Sequence, residues 1–135
     1  LSGNSTKQNF ANTIVAAGFK LNGNKYVRLS DSVSQIVNLY TDKSDGRRYI
    51  EYAVLNNNNL LVSGRADRAF SDRRYEIISK LSGEASDESF DFTSWLMDDF
   101  LCMLDEMKTP EGVLKICRDQ LDGKALISAE VRSSW

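Results

Sequence analysis

Apolar residues near the start of the chain recur at helical spacing. Phe10, Ile14 and Ala17 share one face, Ser5 and Gln8 have capping-box spacing, and Gly18 supplies a left-handed stop. This predicts a helix over about residues 6–17, with Phe19 folding back onto it. After the turn at Asn22, Gly23 and Asn24 the apolar period shortens to two. The runs 26–29, 33–40 and 48–55 are rich in Val, Ile and Tyr and are separated by polar segments, so they read as consecutive antiparallel strands. A fourth strand is expected at 60–63, joined through the four asparagines 56–59, which suit a hairpin tip.

Beyond residue 64 the period returns to helical. Ser71 is expected to cap a short helix over 72–81, with Tyr75, Ile78 and Leu81 inward and Gly83 behind it. Residues 82–88 read as a polar loop. The strongest signal covers about 89–108, where Phe92, Trp95, Leu96, Phe100, Met103, Leu104 and Met107 share a broad apolar face. Asp91, Asp98 and Asp105 recur every seven residues on the opposite side, as an acidic stripe. Asp99 falls on the apolar face, where a buried carboxylate would need a partner such as an arginine from the sheet. Thr109, Pro110 and Glu111 have the chemistry of a helix start, and that helix should run to about Leu121 with Val113, Leu114, Cys117 and Leu121 inward. Residues 124–135 fit a strand or two turns of helix, and helix is preferred.

The pattern predicts an α+β fold: an N-terminal helix, an antiparallel meander of three to four strands, and C-terminal helices packed mainly on one face. One-sided packing follows from the alternation, since a sheet covered on both faces carries continuous apolar runs. A length of 135 residues suits a single domain, 1–135, with residues 1–5 expected to be flexible. No apolar run approaches the ~18 residues of a membrane span, and residues 1–8 are polar rather than leader-like, so a cytoplasmic chain without membrane contact is expected.

Composition narrows the chemistry further. There is no histidine, which excludes Ser-His and Cys-His nucleophiles and histidine metal ligands. Cys102 and Cys117 stand too far apart for a zinc pair and read as buried free thiols. No glycine-rich phosphate loop, HExxH, CxxC or GxSxG occurs, so no cofactor is expected. Residues 65–75 interleave four arginines with two aspartates, which together with a pI near 5.2 argues for local ion pairs and against nucleic acid.

A net charge of −2 conceals segregation: residues 84–111 hold nine acids and one base, whereas residues 1–83 hold twelve bases and seven acids. Such polarity suits an electrostatically steered protein partner, although a folded chain could pair its two ends internally.

Phe10 and Ile14, then Gly18-Phe19-Lys20, Tyr26-Val27-Arg28 and the run from Val33 to Leu39 give residues 8–55 a recognisable order. In these residues the chain resembles a family of small uncharacterised bacterial proteins carrying a domain of unknown function. The resemblance implies an α+β fold with an antiparallel sheet and transfers no catalytic residue. In type, the chain is also similar to bacterial toxin-immunity proteins, which are small, often acidic and without catalytic motifs.

The expected function is therefore a non-catalytic binding protein of the immunity or antitoxin type. It would mask the active groove of a basic bacterial toxin domain through Asp91, Asp98, Asp105, Glu106 and Glu111. The alternatives are a carboxylate-based metal-assisted hydrolase using Asp98, Asp99 and Asp105, or a structural or assembly subunit, for which an exposed apolar patch would be expected.

Overall fold

The structure is a computed structural model and describes residues 3–84 and 89–135. The chain is α+β. Helix α1 (Gly3–Ala16) leads into a six-stranded antiparallel sheet whose spatial order is the sequence order, β1 to β6. The strands are β1 (Lys20–Asn22), β2 (Lys25–Ser30), β3 (Val33–Thr41), β4 (Arg48–Asn56), β5 (Asn59–Arg65) and β6 (Leu126–Ile127).

Helix α1 begins at Gly3, three residues before the expected start. Gly18 takes φ +99°, and the Phe19 N–H then donates to the Ile14 carbonyl at 3.3 Å, folding a fully buried ring back onto the helix as expected. The strand count exceeds the predicted three to four. Strand β1 has three residues and β6 two, too few to display a period. The tail is both alternatives in succession: β6 pairs with β5, then Ser128 caps α7 (Ala129–Arg132) by accepting the Val131 N–H at 3.2 Å. At the asparagine tip, Asn57 and Asn58 take φ of +50° and +69°, the left-handed pair that a two-residue hairpin turn requires.

Register assigns the faces. Val37 lies opposite Tyr52, and Tyr52 opposite Gly64, so Val33, Gln35, Val37, Ile50, Tyr52, Val54 and Val62 look toward the helices and are buried. The other face is largely open, with Leu29 76% and Leu60 40% exposed, but Tyr49 on it is buried beneath Arg65. One-sided packing is thus observed.

After β5 come α2 (Ala66–Ala69), a single 3₁₀ turn at Ser71–Arg73, and α3 (Arg74–Ser82). Ser71 makes no side-chain cap, because a 3₁₀ turn rather than the α-helix begins there. Ile77, Ile78 and Leu81 face inward, and Tyr75, expected there, is exposed. The expected loop at 82–88 lies partly outside the described residues, at 85–88.

The major helix covers residues 92–106 in three pieces: α4 (Phe92–Trp95), a π turn at Leu96–Phe100, and α5 (Leu101–Glu106). All seven predicted inward residues are buried. Trp95 sits at their centre, stacked on Phe100 at 5.8 Å and edge-on to Phe70 at 5.6 Å. The π turn holds one residue more per turn than an α-helix, and this rotates Asp99 off the apolar face into solvent. Cys102, which lies off the apolar face, is exposed rather than buried as expected, whereas Cys117 is buried and both thiols are free. Helix α6 (Pro110–Ile116) starts as predicted, with Thr109 accepting the Gly112 N–H at 3.1 Å, and continues through a π turn at Cys117–Leu121.

Candidate functional site

Two charged surfaces stand out, and each grows from the fold. The first is the outer side of the 92–106 helix. Asp91 is its N-cap, accepting the Ser94 N–H at 3.1 Å, and that bond holds its carboxyl below the ordinary range. Asp91, Asp98 and Asp99 border a shallow depression of about 200 Å³ that Arg73 and Trp95 also line.

Asp105 belongs elsewhere. It edges a separate groove with Met97, Leu101 and the α1 residues Asn12, Thr13 and Ala16, because the π turn lies between it and Asp91. It is also the partner of the sheet arginine that sequence reading sought for Asp99. Arg28 reaches Asp105 at 3.0 Å, with Lys108 at 3.5 Å on the same oxygen. Arg28 is itself anchored: it donates to the Ala17 carbonyl at 3.0 Å and to Gln35 Oε1 at 2.7 Å, and lies 4.4 Å over the Phe19 ring. Gln35, fully buried, turns its amide to the Leu104 and Met107 carbonyls at 2.6 and 3.2 Å. These bonds tie β2, β3, α1 and the end of α5 together. The signal in the sequence is the alternation itself, which sets Gln35 between Val33 and Val37 on the apolar face of β3.

Glu106 and Glu111 are exposed on either side of the turn between α5 and α6. Among the described residues, Glu84 pairs with Arg47 at 2.9 Å and Asp105 is paired as above, whereas Asp91, Asp98, Asp99, Glu106 and Glu111 form no salt bridge. The acidic segment is therefore only partly neutralised from within. Asp98, Asp99 and Asp105 do not converge, and among the described residues no three acidic or thiol groups lie together as a metal-binding set.

The second surface is a cleft of about 760 Å³ beside the end of β5, which sequence reading passed over as a solvated ion-pair segment. Pairing of β5 with β6 stops at Ser63 and Leu126, and the cleft opens beyond it, between Gly64–Arg65 and residues 123–125. Arg65, Arg68, Arg74 and Lys124 line it, with Glu51 as the acid. Asp67, 1% exposed, receives the Arg65 fork at 2.7 and 3.1 Å and lies 3.8 Å from Arg74. Arg65 is further held 4.1 Å over the Tyr49 ring. The expected local ion pairs thus exist, but they organise a concave surface. The signal available in sequence was Asp67 two places after Arg65 at a strand end.

Among the described residues no helix is long and apolar enough to cross a membrane. Compared with known proteins, the chain matches no family model, no curated protein and no solved structure.

Proposed function

We propose that the protein is a non-catalytic binding module of the toxin-immunity type, acting in the bacterial cytoplasm. Its acidic helix surface would occlude the cationic groove of a basic toxin domain. The observation that carries this reading is the set of exposed carboxylates that form no salt bridge with a described residue, Asp91, Asp98, Asp99, Glu106 and Glu111, of which Asp91 also caps its helix. A chain whose charge segregation served only its own fold would spend those acids on its own arginines. Asp105 does this with Arg28, so it contributes less to a partner's field than the heptad spacing implies.

The test uses the protein encoded by the neighbouring gene. Co-expression should abolish that protein's toxicity, and the purified pair should form a 1:1 complex. A non-toxic neighbour, or toxicity unchanged by this chain, contradicts the reading.

A second reading, an assembly subunit, is favoured by the largely open sheet face. Register aligns Leu29, Ser34, Leu55 and Leu60 in one row across four strands. Concentration-dependent dimerisation that Leu29→Lys abolishes would select it.

A further inference from the structure

The cleft beside β5 is independent of the acidic surface and is built rather than incidental. Its wall positions are fixed by a buried carboxylate: Asp67 holds the Arg65 guanidinium bidentately, so a positive charge is presented in one orientation. Arg68 on α2 and Lys124 on the chain entering β6 face the same space, and neither forms a salt bridge with a described residue. Arg65, Arg68, Arg74 and Lys124 against Glu51 and Asp67 leave two positive charges in excess around a concavity, in a chain whose net charge is −2. Ser63 and Ser71 also line it.

One wall is unusually thin. Gly64 lies opposite Tyr52, and a Cβ at this position would come 3.0 Å from Tyr52 Oη and 3.2 Å from Ala125 Cβ. Tyr52 Oη itself is buried and has no hydrogen-bond partner among the described residues. This hydroxyl lies on the core side of the sheet, behind Gly64, and Tyr52 is not one of the residues that line the cleft.

We propose that this cleft binds a small phosphate-bearing anion of the diphosphate class. Cations on opposing walls suit a ligand carrying charge at both ends, and Arg68, which makes no salt bridge with a described residue, offers a guanidinium fork that matches phosphate oxygens in pairs, whereas the Arg65 fork is taken by Asp67. A volume of about 760 Å³ is that of a small-ligand site rather than a single-ion niche. Among the described residues no aromatic ring lines the cleft, so they offer no platform on which a nucleobase would stack.

Isothermal titration of the full chain with inorganic pyrophosphate tests this, at constant ionic strength, alongside orthophosphate, citrate and a single-stranded oligonucleotide. The expected result is saturable 1:1 binding of pyrophosphate, tighter than of orthophosphate or citrate. Arg68→Gln and Lys124→Gln should each weaken it by about ten-fold. Arg118→Gln, on a separate helix, should leave it unchanged. Both cleft variants alter exposed side chains, and unchanged melting temperatures would show that they fold. No saturable binding of pyrophosphate below about 10 mM overturns the proposal, as does binding that the cleft variants retain in full. Tighter binding of citrate assigns the cleft to carboxylates instead, and tighter binding of the oligonucleotide assigns it to nucleic acid; either outcome also overturns it.

Discussion

Gln35 shows how a single polar residue can hold elements together. Its amide reaches the carbonyls of Leu104 and Met107 at the end of the major helix, and its oxygen accepts the Arg28 fork. Removing it takes a buried donor from the Leu104 and Met107 carbonyls and an acceptor from Arg28, which keeps the Ala17 carbonyl and Asp105. Gln35→Leu should therefore cost about 1–3 kcal/mol despite adding apolar surface, seen as a lower urea midpoint with an unchanged slope. The cysteines give a second residue-scale prediction. Burial pushes the Cys117 thiol up to about 11, so at pH 8 it stays protonated and unreactive, whereas Cys102 is open to solvent. Native protein at pH 8 should consume one equivalent of a thiol-specific reagent, and two after denaturation. Two equivalents reacting in the native state would place Cys117 at the surface.

At the scale of elements, the helix over residues 92–106 carries the core. Trp95 packs among Phe70, Phe90, Phe92 and Phe100, yet its indole N–H finds no acceptor among the described residues. Trp95→Ala should cost ~3–5 kcal/mol through the cavity it leaves. Trp95→Phe should cost well under half of that, because it keeps a ring and deletes the unsatisfied donor. Equal losses in thermal melts of the two variants would show that the ring's size, not aromatic packing in general, holds the core. Legibility from sequence follows the same lines. Helices long enough to repeat an apolar face, and strands long enough to alternate, were readable; β1 and β6 were too short to show a period. The inward face of the 92–106 helix was readable because it rests on seven residues. The opposite face was not: Asp99 lies within the π turn and is exposed, and Asp105 borders a different groove from Asp91 and Asp98. The basic cleft was hidden for another reason: its walls come from β5, α2, α3 and the approach to β6, and only tertiary packing brings these together.

The whole molecule presents three unlike surfaces. Helices bury one face of the sheet and carry on their outer side acids that form no salt bridge with a described residue, the other sheet face is largely open, and a cationic cleft lies at the end of β5. A partner steered by the acids would feel them from a distance comparable to the ~8 Å over which physiological salt screens charge, so its association rate should be the quantity they control. The combined variant Asp98→Asn, Asp99→Asn, Glu106→Gln and Glu111→Gln removes four exposed carboxylates that make no salt bridge with a described residue, and it should fold as the parent does. The most direct measurement is the association rate of this variant and of the parent with the protein encoded by the neighbouring gene, at low and high ionic strength. The acidic-surface account predicts a rate about ten-fold or more lower for the variant at low salt, with the two converging as salt rises. Equal rates at low salt would contradict it and remove the acidic helix surface from the interface.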